Sequence, residues 1–204
     1  MVTYKGLPGP VIRDHLSREA SRALYAPGTT FQIGRIEMVA NTGTYVDAPS
    51  HRWEDGADLA GLPLDVVAGR PGICVTAPYV HGLAVDEDFL VGLEIAGKAV
   101  LVFSGWSTLW GTPAYQERSS HLTRAAAELL AAKGAAIVGI DSHNIDDTDD
   151  KARPVHSILL RAGIPVVEHL CNLEALPASG FRFYAVPVKV VGMGTFPVRA
   201  FAEV

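Results

Sequence analysis

The sequence predicts an α/β domain with a mixed, barrel-like sheet and peripheral helices. Short apolar, β-branched runs recur along the chain, two helical stretches lie among them, and strand patterns stand near both ends. Composition fits such a domain: of 204 residues, 49% are apolar and 19% charged, enough to bury a core without disulfides or metals as staples. The boundaries expected are one domain over residues 1–204, with residues 1–30 as an N-terminal arm.

Residues 1–30 are punctuated by Pro8, Gly9, Pro10, Pro27 and Gly28, and a short helical stretch is expected over Asp14 to Leu24. Phe31 to Ala40 alternates imperfectly and reads as a strand. A loop rich in Gly, Pro and Asp follows, then strands at Ile73 to Ala77 and Val100 to Phe103. Thr123 to Lys133 is the clearest helix, with Thr123 as N-cap, five alanines, and Gly134 where a left-handed cap is needed. Ala135 to Ile140 then reads as a buried strand ending at Asp141. A second helix runs from Val155 to Ala162 and stops at Gly163, and Ile164 to Val167 is a strand ending at Glu168. Phe183 to Val191 and Val198 to Phe201 complete the strand pattern. Strands that end in carboxylates place polar groups along one sheet edge, where loops gather and sites form.

Charge and hydropathy exclude several partners. Seventeen Lys and Arg against 22 Asp and Glu give a formal charge of −5 with no basic patch, so no nucleic-acid partner is expected. No apolar run approaches the ~20 residues that span a bilayer, so neither is a membrane partner. Met1 to Gly6 lacks a signal-peptide pattern, and Cys74 and Cys171 lack CxxC spacing and sit in apolar runs, reading as two buried reduced thiols. A cytoplasmic location is expected.

Two clusters carry chemistry. In Asn41 to His51, Gly43 permits a sharp turn and Pro49 stiffens the return, so Asp47 and His51 can be aimed at one point from a rigid loop. Taken alone, a polar loop of this kind is more often a solvated turn. The second cluster is Gly139 to Asp150, whose five aspartates ordinarily mean a solvated acidic loop. It is followed by His156 inside an apolar helix and Glu168 at a strand end. A buried carboxylate at such a position requires a charged partner or a metal. His143 and His169 adjoin these residues and can support them indirectly, whereas His15, His81 and His121 read as surface or cap neighbours.

Together these segments resemble the cyclase-like metal hydrolases that include bacterial kynurenine formamidase and isatin hydrolase. The family motif HxGTHxDxPxH appears as Asn41-x-Gly43-Thr44-Tyr45-x-Asp47-x-Pro49-x-His51, and its distal His and Glu, twelve residues apart, as His156 and Glu168. Ser104-Gly105-Trp106, Gly139-Ile140-Asp141, Glu168-x-Leu170-x-Asn172-Leu173 and Pro197-Val198-Arg199-Ala200 extend the match over Phe31 to Ala202. Tyr25-Ala26-Pro27-Gly28 echoes a family WPG segment without its Trp.

The resemblance implies a swivelling β/β/α cyclase-like fold and hydrolysis of an amide, formamide or lactone-like bond in a small cyclic or aromatic substrate. It implies one divalent ion, manganese or zinc, on Asp47, His156 and Glu168, with His51 as proton acceptor and donor. Asn41 and Tyr45 stand where two further histidine ligands belong. An amide oxygen is a poor ligand for such ions and a phenol must first ionise, so a binuclear centre is not expected. Three states remain open: one ion, no ion with Tyr45 and His51 as donors, or a site that no longer turns over. With Tyr45 free of metal, its hydroxyl can donate to a developing oxyanion. Asn41, Trp106 and Asp141 are expected to border the pocket, and a homodimer or homotetramer is implied. The rival readings are a dehydratase- or cyclase-type lyase or isomerase, and a non-catalytic small-molecule binding protein.

Overall fold

The computed structural model describes residues 6–204. Its centre is a mixed eight-stranded sheet that curls into half a barrel. Four parallel strands form the middle: β4 (Arg70–Thr76), β6 (Ala99–Phe103), β8 (Ile137–Ile140) and β9 (Val166–Glu168). Antiparallel strands flank them, with β3 (Tyr45–Asp47) and β11 (Thr195–Pro197) beyond β9, and β10 (Ser179–Tyr184) and β12 (Phe201–Glu203) beyond β4. Two smaller sheets stand apart: β1 (Val11–Leu16) with β2 (Ile33–Glu37), and β5 (Ala84–Val85) with β7 (His121–Leu122). Among the described residues no helix is long and apolar enough to cross a membrane.

Both sheet faces are apolar, which is why the middle strands read as continuous β-branched runs. On one face Val100, Val102, Val138, Ile140 and Val166 meet α3 (Arg124–Ala132) and α4 (Pro154–Arg161). On the other, Val46, Leu101, Ile137 and Val167 meet Leu170, Phe181 and Phe183. The two other α-helical segments among the described residues, α1 (Arg18–Ser21) and α2 (Leu64–Val67), are single turns. α3 starts and stops as expected: the Thr123 hydroxyl accepts from Ala126 N at 3.1 Å, and Gly134 takes φ +69°.

Several expectations are corrected. Asp14 to Leu24 is strand followed by one helical turn, because Val11–Leu16 finds a hairpin partner in Ile33–Glu37. The strand expected at Phe31 to Ala40 is confined to Ile33–Glu37. Asn41 to His51 is not wholly loop: Tyr45–Asp47 is a buried strand paired on both sides. Three residues are too few for periodicity to reveal. At the C-terminal end the strands fall at Ser179–Tyr184, Thr195–Pro197 and Phe201–Glu203 rather than at Phe183 to Val191 and Val198 to Phe201. Cys74 is half-buried and Cys171 exposed, so they are not two core thiols.

Glycine makes one junction of the fold that bears on the site. A Cβ on Gly194, just before β11, would lie 2.4 Å from the backbone N of His51 and 2.6 Å from its Cα. The same junction carries a hydrogen bond from Ala48 N to the Gly194 carbonyl at 2.7 Å. Gly194→Ala is therefore expected to force β11 away from the turn Pro49–His51 and to cost about 1–3 kcal/mol, the usual range for overpacking. Urea denaturation of the variant checks this; an unchanged midpoint would show that the junction yields freely.

Candidate active site

The register of β3 assembles the site. Tyr45 lies opposite Glu168 on β9, and Asp47 lies opposite Thr195 on β11. Side chains alternate along a strand, so Tyr45 and Asp47 share one face while Val46 enters the apolar core on the other. The Tyr45 hydroxyl donates to Glu168 Oε2, and the Thr195 hydroxyl donates to Asp47 Oδ1.

α4 supplies the imidazole at the centre. Its first turn begins with Pro154 and has no capping side chain on Arg153, whose φ is +50°. Asp146 caps it instead: Oδ1 accepts from Val155 N at 2.7 Å, and Oδ2 from His156 N at 3.1 Å. The same Oδ2 contacts His156 Nδ1 at 2.6 Å. With Nδ1 so engaged, Nε2 faces Asp47 Oδ2 at 3.4 Å and Glu168 Oε1 at 3.5 Å. Glu168 Oε1 also accepts from Ile145 N at 2.7 Å.

Three buried carboxylates thus surround one imidazole. Burial alone would strip the proton from His156, but the Asp146 hydrogen bond, with Asp47 and Glu168 beside it, outweighs burial and raises its pKa to about 10. His51 behaves oppositely. Burial pulls its imidazole below the usual range, against the opposing charge of Asp47, which favours the neutral ring. Its Nδ1 lies 2.7 Å from Thr195 Oγ1 and 3.6 Å from Asp47 Oδ1, and its ring stands 5.8 Å from that of His156. The His51 side chain is 35% exposed, whereas Asp47 and His156 are buried.

Donor atoms of Asp47, His51 and His156 all lie within 4.8 Å of one another, close enough to hold a metal ion. Asp47 Oδ2, fully buried, receives no hydrogen bond among the described residues. Two ligands of a tetrahedral ion at about 2.0–2.2 Å are about 3.3–3.6 Å apart. The two contacts of His156 Nε2 match that spacing, so the residues present fit one divalent ion.

Aromatic and neutral groups adjoin this cluster. The His169 ring lies 5.4 Å from Tyr45 and 5.7 Å from Trp110, and its Nδ1 lies 2.9 Å from the Tyr115 hydroxyl. Burial, then the neighbouring His143, pulls the His169 pKa down to about 3, and burial raises that of the Tyr115 phenol. Trp110 is 43% exposed and stands edge-on to Tyr115 at 5.0 Å.

The expected residues are distributed as follows. Asp47, His51, His156, Glu168 and Tyr45 converge. The expectation that Tyr45 donates to an oxyanion is corrected: its hydroxyl is buried and its hydrogen committed to Glu168. Asp141 is buried and accepts from Ser104 N at 3.0 Å, from Ser104 Oγ and from the Ser107 hydroxyl, so it fastens the turn after β6. Trp106 is buried and donates from Nε1 to the Tyr115 carbonyl at 3.2 Å. Asn41 is half-buried at the approach to β3. His121, expected as a neighbour of the Thr123 cap, lies in β7 just before it and is buried, with Nδ1 2.8 Å from the Ser119 carbonyl.

Sequence reasoning missed Asp146, Thr195, Trp110 and Tyr115. Asp146 was indistinguishable from its acidic neighbours, and Thr195 reaches the site only through sheet pairing.

A family model described as putative cyclase matches residues 10–147. The chain belongs to that family. A kynurenine formamidase from Erythrobacter litoralis is 31% identical over 166 residues, which cover 80% of this chain and 73% of the relative. Isatin hydrolase A from Labrenzia aggregata, solved bound to benzyl benzoate, has the same fold, with a TM-score of 0.81 and 21% identity over 98% of this chain and 84% of its own. A structure described as a potential metal-dependent hydrolase with cyclase activity aligns with a TM-score of 0.72 and 27% identity over 94% of this chain and 96% of its own.

The Tyr45 hydroxyl is the donor that Glu168 Oε2 receives across the sheet. Tyr45→Phe removes that hydrogen bond and is expected to cost about 1.5–3 kcal/mol, the usual worth of a bond to a charged group, while preserving the fold. A lowered urea midpoint with an unchanged slope is the expected result; equal stability would mean that the carboxylate finds another donor.

Proposed function

We propose that this cyclase-family chain hydrolyses the amide bond of a small aromatic substrate, as an arylformamidase does, at Asp47, His51, His156 and Glu168. The observation that carries this reading is the buried, undonated Asp47 Oδ2, beside an imidazole and a second carboxylate at ligand spacing. A single divalent ion, zinc or manganese, would be held by Asp47, His156 and Glu168. When bound, such an ion polarises a carbonyl and acidifies water.

The chain's own residues do the rest. Asp146 holds His156 by Nδ1 so that Nε2 faces the two carboxylates, and Tyr45 holds Glu168. His51 is the neutral, solvent-reachable base of the set. It takes a proton from water as the oxygen adds to the formyl carbon, then returns it to the amine nitrogen as the C–N bond breaks, leaving a free arylamine and formic acid, which loses its proton to solvent as formate. Trp110, exposed and packed edge-on against the buried Tyr115 and His169, offers an uncharged aromatic surface for an aryl ring. Such a surface favours an aromatic amide over an aliphatic one.

Two measurements test the reading. Elemental analysis of protein purified with zinc or manganese present should find no more than one ion per chain, and Asp47→Asn should abolish it. Two ions per chain would show that Asn41 and Tyr45 do act as ligands. With an N-formyl arylamine as substrate, His51→Ala should lower turnover about 10²–10⁴-fold while metal content stays unchanged. Parent-like turnover would remove His51 from the mechanism, and loss of the ion would make it a ligand instead.

A further inference from the structure

We infer that Thr195 is a positioning residue that fixes the His51 tautomer by linking its Nδ1 to Asp47; this rests on His51 being the base in the reading above. The Thr195 hydroxyl is bonded on two sides, to Asp47 Oδ1 and, at 2.7 Å, to His51 Nδ1. Asp47 cannot do this directly, because its Oδ1 lies 3.6 Å from Nδ1.

Proton counting sets the direction. A hydroxyl has one hydrogen, and an ionised carboxylate only accepts. The Thr195 hydrogen therefore goes to Asp47, and Thr195 Oγ1 accepts from His51. Nδ1 must then carry the ring proton, which leaves the lone pair on Nε2. Without the hydroxyl only the more distant Asp47 Oδ1, at 3.6 Å, favours that tautomer, and the lone pair spends part of its time on Nδ1, away from a substrate.

Three features of the fold enforce the arrangement. Thr195 is paired with Asp47 across β3 and β11, so its side chain falls on the same face. It is buried, which keeps water from replacing it. Gly194, the preceding residue, lets β11 come against the His51 backbone, and a larger residue could not.

The test reads the tautomer itself. In protein labelled with 15N at histidine, at pH 8 with zinc added, long-range proton–nitrogen correlation distinguishes Nδ1–H from Nε2–H rings. His51→Gln identifies the His51 signals. The expected result is Nδ1–H for His51 in the parent and in Thr195→Ser, and a mixture or reversal in Thr195→Val. On an N-formyl arylamine, Thr195→Val should lower kcat about 10–100-fold with KM within about twofold, and Thr195→Ser should restore most of it. An Nε2–H ring in the parent protein overturns the inference even if the valine variant fails to fold. So does a valine variant that keeps both the parent tautomer and the parent kcat. Should no aryl formamide be turned over, the proposed activity fails, and the tautomer measurement still decides the role of Thr195.

Discussion

The pairing register of β3 is the constraint on which the site depends. Three residues, Tyr45, Val46 and Asp47, are sandwiched between β9 and β11, and their alternation divides the structure. Val46 faces the core with Val167, Leu101 and Phe181, which fixes the strand because exposing it would cost about 1.5–3 kcal/mol. Tyr45 and Asp47 consequently face Glu168 and Thr195. A slip of one residue would bury a carboxylate among aliphatic side chains and turn valine into the site. Packing on one face therefore enforces chemistry on the other.

Charge in that site is compensated locally. Asp47, Asp146 and Glu168 are all buried, and burial of three carboxylates is costly unless positive charge meets them. Among the described residues, His156 is the group placed to meet all three, and its pKa, raised to about 10, favours a proton there. A divalent ion at Nε2 would perform the same compensation more strongly, displacing that proton. Proton and metal are thus alternatives for one position. Asp146 is the hinge of this arrangement, since the carboxylate that orients the ring also caps the helix carrying it.

Much of this was legible in the chain and some was not. α3 was readable because its N-cap, alanines and terminal glycine each act locally on the backbone. The parallel strands were readable because burial on both faces demands unbroken β-branched runs. β3 was not, since three residues flanked by Gly43 and Pro49 look like a turn, and only two partners distant in sequence make them a strand. Asp47, His51, His156 and Glu168 stood out by residue type and spacing. Thr195 did not: its role depends on lying opposite Asp47, 148 residues away, and nothing in its neighbours signals that pairing. Tyr45 was legible as unusual, but its partner was not, because the direction of a phenol is set by cross-strand register.

Asn41 and Tyr45 have a common consequence at this site. Both side chains are neutral, so neither adds positive charge nor, un-ionised, takes a cation well. Tyr45 supplies a proton donor instead, and that donor neutralises part of the Glu168 demand by hydrogen bonding. What remains is a requirement for one positive centre, at His156 Nε2, between Asp47 Oδ2 and Glu168 Oε1. A buried phenol on Glu168 thus leaves a site whose electrostatics are met by one positive centre at His156 Nε2.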